Sequence, residues 1–169
     1  IIEFSDTANE LFQISNVQDV AEIPGLLPAE GLSNYGEAFN LLRVVIARDI
    51  ANLKSQGLQV YRPAVFFITD GDPTDDWEAN HRALTDKSQN PQAPHIISFG
   101  VAGANPAVIG KVGTKAAFIA NNGVDPGNAL KEILKSLTNT IVNSSSSSTP
   151  TLIVPSAPPG TTAVPLDTM

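Results

Sequence analysis

Ala64-Val-Phe-Phe-Ile-Thr-Asp-Gly-Asp-Pro-Thr-Asp-Asp76 is the stretch on which the reading of the fold turns. Residues 65–68 form a short unbroken apolar run, the pattern of a strand buried on both faces of a parallel sheet. The run stops at Thr69-Asp70-Gly71, and four carboxylates then fall within seven residues, at Asp70, Asp72, Asp75 and Asp76. Open α/β sheets bind ligands at the carboxyl ends of their strands. A carboxylate where a buried strand ends, followed by a glycine, is therefore a natural seat for a cation or a phosphoryl group. The plainer role for these side chains is structural. Asp70 and Asp72 would serve the turn, and Asp75 or Asp76 would cap the next helix.

On the N-terminal side of this stretch, Ala38, Leu41, Leu42, Val45, Ile46, Ile50 and Leu53 recur at spacings of three and four. This predicts a helix over 35–55 with one apolar stripe. Ser33 or Asn34 would cap it, Glu37 would sit in its first turn, and Gly57 would stop it. Arg43, Arg48 and Asp49 fall mostly off the stripe and read as a solvated face. Further upstream, Ile1-Ile-Glu-Phe4, a Ser5-Asp-Thr7 turn and Leu11-Phe-Gln-Ile14 predict an antiparallel hairpin, with Asp6 structural. Residues 17–27 read as a connection.

On the C-terminal side, a helix from Asp75 or Asp76 to about Lys87 is predicted. A buried strand follows at 95–101, then a short helix at 106–112 with Pro106 at its first position. A third strand at 116–120 and an amphipathic helix at 129–142 complete the pattern. Strands alternating with helices indicate a mostly parallel sheet with helices on both faces. His81 and His95 read as ordinary surface or edge residues. From Ser144 onward the chain is a serine run followed by Thr, Ala, Val and five prolines, the composition of a linker. The expected organisation is one domain over 1–143 and a disordered tail over 144–169.

Composition narrows the function. The chain has 169 residues, 42% hydrophobic and 16% charged, which is globular. Its net charge of −7 disfavours nucleic-acid backbones and anionic membranes. It has no cysteine and only two histidines, which excludes thiolate sites and leaves too few imidazoles for most zinc sites. No apolar run is long enough to span a membrane. The chain opens on Ile1, inside a strand pattern, and reads as a fragment of something longer.

Four stretches, in order, resemble a von Willebrand factor type A (vWA) domain: Ile2-Glu-Phe-Ser-Asp-Thr-Ala8, Gly31-Leu-Ser-Asn-Tyr-Gly-Glu-Ala38, Phe67-Ile-Thr-Asp-Gly-Asp-Pro-Thr-Asp-Asp76 and His95-Ile-Ile-Ser-Phe-Gly100. The resemblance covers about residues 1–143. It is nearest to the bacterial TerY-like subgroup associated with tellurite resistance and stress response. It implies a three-layer Rossmann-like α/β fold, mostly parallel, with an antiparallel edge hairpin. It also implies a non-enzymatic, cytoplasmic module that binds a protein partner. The family holds Mg²⁺ at a metal-ion-dependent adhesion site, where a partner's carboxylate completes the coordination. Ser33 and Asp70 match two of its ligand positions. The third, an Asp-x-Ser-x-Ser loop after the first central strand, does not occur in this chain, and that strand is missing with it. Two unpaired central edges would be the consequence, or a closing-up of the flanking strands. Mg²⁺ binding by Ser33 and Asp70 alone is expected to be weak or absent.

Two other readings compete. Asp70-Gly-Asp-Pro-Thr74 fits the Asp-x-Asp-x-Thr signature of haloacid-dehalogenase-like phosphohydrolases, with Asp70 as nucleophile, Asp72 as acid/base and Mg²⁺ as counter-charge. Ser98 and either Lys111 or Lys115 would be its phosphate partners, but the later acidic pair is replaced by Asn121-Asn122. The other is a metal-free domain of vWA descent that binds partners through its helices. A calcium loop at 70–81 fails because position six is Asp75 and position twelve is His81. A Ser/His/Asp triad lacks its nucleophile elbow.

Overall fold

The computed structural model describes residues 1–16, 19, 31–145, 152–154 and 156–167. Apart from residue 19, the connection expected over 17–27 lies outside them. The chain is mixed α/β and divides into two compact units, Ile1–Val60 with Pro73–Ala93, and Tyr61–Asp72 with Pro94–Met169.

The first unit contains β1 (Ile2–Phe4), β2 (Ala8–Glu10), α1 (Tyr35–Ser55) and α2 (Glu78–Thr85). β1 and β2 pair antiparallel, with Phe4 opposite Ala8, as a two-stranded sheet of their own. The hairpin's return strand starts three residues earlier than Leu11-Phe-Gln-Ile14 suggested. The turn needs only Ser5-Asp-Thr7, so the chain pairs as soon as it has reversed; the N–H of Ser5 donates to the carbonyl of Thr7 at 2.9 Å. α1 keeps its predicted ends. Asn34 is its N-cap, accepting from the N–H of Glu37 at 3.1 Å. At the other end the N–H of Leu58 donates to Leu53 and that of Gly57 to Lys54, with Gly57 at φ +77°. That is the double bond pattern of a Schellman stop. The expected stripe faces inward, with Ala38, Ile46 and Ile50 buried.

One aromatic cluster fills this unit. Tyr35 meets Phe4 edge-on at 5.7 Å and lies 5.8 Å from Trp77, and Phe39 lies 5.8 Å from Trp77 and 5.1 Å from His81. His81 is therefore a core residue, 4% exposed, and not the surface residue expected. Lone-residue reading missed it because its neighbours Phe39 and Trp77 come from two different segments. Arg48 is likewise not merely solvated. Its guanidinium grips both carboxylate oxygens of Glu10 at 2.6 Å and Asp49 at 2.7 Å, tying α1 to β2.

The second unit holds a four-stranded sheet in the order β3-β4-β5-β6, with β3 at Ala64–Thr69, β4 at His95–Gly100, β5 at Ala116–Ala120 and β6 at Thr161–Ala163. β3, β4 and β5 run parallel, with Phe67 beside Ser98 and Phe99 beside Phe118. β6 runs antiparallel to β5. α3 (Pro106–Val112) and α4 (Pro126–Ser145) cover opposite faces, as the pleat shows. Ile97, Phe99 and Phe118 pack with Ala129 and Ile133 of α4, while Ala117 and Ile119 on the other side pack with Ile109 of α3.

Two expectations change here. The strand buried on both faces is β4, where Ile96, Ile97, Ser98 and Phe99 are all fully buried. β3, the strand of the deciding stretch, ends the sheet among the described residues, and its Val65, Phe66 and Ile68 are half-buried. An apolar run does not say how many neighbours a strand has. Within the first unit β1 pairs with β2, and within the second β3 pairs with β4. The expectation of a wholly disordered 144–169 tail also fails for the described part of it. α4 runs to Ser145, and Leu152 and Val154 pack on the α4 side of the core. Pro158-Pro-Gly160 then turns the chain, with Gly160 at φ +78° and the N–H of Thr161 donating to Pro158 at 3.0 Å, and launches β6. Composition hid this because the segment borrows a ready-made sheet edge and needs no core of its own.

Candidate functional site

The acidic stretch begins where β3 ends. The Thr69 hydroxyl donates to the Gly71 carbonyl at 3.1 Å, closing a tight turn that leaves Asp70 exposed. Among the described residues the Asp70 carboxylate has no hydrogen-bond partner. Asp72 is engaged: its Oδ1 accepts from the N–H of Asn105, the residue that caps α3, at 3.1 Å.

Asp75 is committed too, in a way the sequence did not suggest. It does not cap the helix that follows it. α2 starts at Glu78 after Trp77, which makes no side-chain cap bond. Asp75 caps α1 instead, accepting from Tyr35 N–H at 2.9 Å through Oδ1 and from Gly36 N–H at 2.8 Å through Oδ2. Two orphan donors of the first helical turn thus meet a full negative charge at the positive end of a 21-residue helix. Gly36 makes the approach feasible, since a Cβ there would stand 2.5 Å from Asp75 Oδ2. No local signal marks this pairing, because the partners are about 40 positions apart in the chain.

Ser33 lies in the loop that leads into α1, held from both sides within the first unit. Asp6 Oδ1 accepts from Leu32 N–H at 2.8 Å, and Asn34 N–H donates to the Ser5 carbonyl at 2.9 Å. Asp6 is thereby a loop anchor, as expected. The Ser33 carbonyl accepts from Thr74 N–H at 3.1 Å. Its hydroxyl has no hydrogen-bond partner among the described residues. Ser33 belongs to the first unit and Asp70 to the second.

As a donor set for a cation, one hydroxyl and one carboxylate are hard oxygens of the kind Mg²⁺ takes, two of the six positions an octahedron needs. No group of three or more His, Asp or Glu side chains placed to hold a metal occurs among the described residues. The residues cast for phosphate chemistry fare differently. Ser98 is mid-strand and fully buried, and its hydroxyl donates to the Ile109 carbonyl at 2.7 Å, so it does not face a strand-end site. β5 ends at Ala120, and Asn121 beyond it accepts from the Thr162 hydroxyl. No helix among the described residues is long and apolar enough to cross a membrane.

Compared with protein-family models, curated proteins and solved structures, the chain matches none.

Proposed function

We propose that this chain is a non-enzymatic protein-interaction module of vWA type. It carries a divalent cation, Mg²⁺, on the Ser33 hydroxyl and the Asp70 carboxylate and presents it to a carboxylate of a protein partner. The three-layer Rossmann-like assignment, a first central strand outside this chain, a TerY-like role in bacterial stress or tellurite response, and a cytoplasmic setting belong to the same proposal. They rest on the four resembling motifs. The observation that carries the cation reading is the division of labour in the acidic stretch. Asp75 accepts two backbone N–H groups and Asp72 one, whereas Asp70 is exposed and, like Asp76, uncommitted among the described residues, and Asp70 alone of these stands at the carboxyl end of a parallel strand.

With two protein ligands, water must fill the rest of the shell, and affinity is weak. Calorimetric titration with Mg²⁺ is expected to show weak binding that Asp70→Asn and Ser33→Ala each reduce and Asp72→Asn leaves in place. Tight binding would contradict the incomplete site, and binding indifferent to Asp70→Asn would contradict the assignment. Incubation with a generic phosphate ester and Mg²⁺ is expected to give no turnover. Turnover abolished by Asp70→Asn would favour the phosphohydrolase reading.

A further inference from the structure

The described segment after α4 is built into the second unit. Residues 160–167 lie along the free edge of β5 and over α3, all within the second unit. The ladder sets Phe118 opposite Ala163, Ile119 opposite Thr162 and Ala120 opposite Thr161. It is extended at both ends, by Asn121 N–H donating to Gly160 at 2.8 Å and Val164 N–H donating to Ala117 at 2.8 Å. Beyond the strand, Asp167 N–H donates to the Gly110 carbonyl of α3 at 3.1 Å. Side chains read the segment as well. Val164 packs against the buried cluster of Ala104, Ile109 and Ala117. Gly110 has no room for a side chain, since a Cβ there would stand 2.5 Å from the Pro165 carbonyl oxygen. A Cβ on Gly113 would stand 3.1 Å from Leu166 Cδ2.

These are the elements of strand-addition peptide recognition: main-chain bonds along a sheet edge, a seat for one apolar side chain, and a helix that admits the backbone closely. The occupant is weakly invested in the fold. Its ladder is three residues long, Thr162 and Ala163 are exposed, and Leu166 is 38% exposed. Short edge elements with few buried apolar contacts open locally, without global unfolding.

We propose that the β5 edge and α3 form a docking groove for an extended, uncharged peptide segment of a protein partner with the pattern Thr-Thr-Ala-Val-Pro-Leu. Residues 160–167 fill it in cis as an intramolecular competitor. The groove selects a small β-branched residue at the Val164 position and tolerates no bulk on the strand where it passes Gly110. This inference rests on the tail's own contacts and is independent of the cation reading.

The test uses the unmodified, isotope-labelled full chain and an unlabelled synthetic peptide spanning 158–167, followed by amide hydrogen exchange. A tethered segment competes at an effective concentration of about 1 mM, so the peptide is added at ~5 mM. The expected result is at least a tenfold faster exchange of the Val164 and Asp167 amides as the tail is displaced. The Asn121 amide should stay protected, because the peptide's glycine supplies the same carbonyl. A peptide with Val164→Asp should leave all three amides protected, because the tail stays in place. In the full chain, Val164→Asp should free the groove, so that a fluorescent 158–167 peptide binds at least tenfold more tightly than to the unmodified chain. Val164 exchange unmoved by the peptide would overturn the proposal, as would a folded Val164→Asp chain with no gain in peptide affinity.

Discussion

Replacing Asp75 with alanine should weaken the first unit more than any other single change in the acidic stretch. Asp75 makes two charge-assisted bonds to the first turn of α1, at 2.9 and 2.8 Å. Each such bond contributes about 1.5–3 kcal/mol, and a helix cap ordinarily about 1 kcal/mol with an upper range near 2. Tyr35 is fully buried, so water has poor access to its N–H once the carboxylate is gone. A loss of about 2–4 kcal/mol follows, large beside a domain stability of about 5–15 kcal/mol. Asparagine keeps one acceptor oxygen and should cost about half as much. Asp76, exposed and with no side-chain hydrogen bond among the described residues, is the control, and Asp76→Ala should stay within about 0.5 kcal/mol. Trp77 is the only tryptophan and sits in the aromatic cluster of this unit, so its fluorescence through a urea titration reports the relevant transition. Midpoints rather than amplitudes should be compared, because the substitution lies two residues from the fluorophore. If Asp75→Ala and Asp76→Ala have the same midpoint, the cap contributes nothing and the reasoning fails.

Other outcomes follow from the same structure. The Arg48 guanidinium holds the Glu10 carboxyl below the usual carboxylate range through paired hydrogen bonds. A depressed folded pKa contributes stability above the unfolded value of about 4.3, which is lost as pH falls through the folded pKa. Glu10→Gln should therefore lower the melting temperature at pH 7, with the gap narrowing as pH falls below the ordinary carboxylate range. Ser98→Ala removes a buried donor to the Ile109 carbonyl, which also accepts from Gly113 N–H at 3.1 Å. With that second donor in place, the cost should be near the low end, about 1 kcal/mol in chemical denaturation. Gly110→Ala pits a helix-propensity gain of up to about 1 kcal/mol against a clash with the Pro165 backbone. A backbone oxygen cannot step aside as a side-chain end can, so faster exchange at Asp167 N–H is expected whatever happens to global stability.

Periodicity located the elements well where a stripe or run is long. The ends of α1 at Tyr35 and Ser55, α3 at Pro106–Val112 and β5 at Ala116–Ala120 fall where the residues place them. These features are local: a cap, a proline at the first position, an unbroken apolar pentamer. Features that depend on partners distant in sequence stayed hidden. Asp75 reads as the cap of its own neighbouring helix but serves one that begins 40 positions earlier. Arg48 reads as solvated until Glu10 arrives from β2. β3 and β4 are alike as strings, yet only β4 has a strand on either side in the sheet order. β6 escaped because Thr161-Thr-Ala163 has little apolar character and its partner edge lies some 40 residues back. For the candidate site, the sequence marked Ser33 and Asp70 by motif position. The structure adds which neighbouring carboxylates are already engaged.

The proposal that Ser33 and Asp70 serve one cation is tested most directly by paramagnetic broadening. Mn²⁺ titrated into the labelled chain reaches weak sites that calorimetry resolves poorly. The prediction is that the Ser33 and Asp70 amide signals broaden together at the same low Mn²⁺ ratio, and that both stay sharp in Asp70→Asn. Broadening at Asp70 and along the acidic stretch with Ser33 still sharp, or broadening at Ser33 that survives Asp70→Asn, would contradict it.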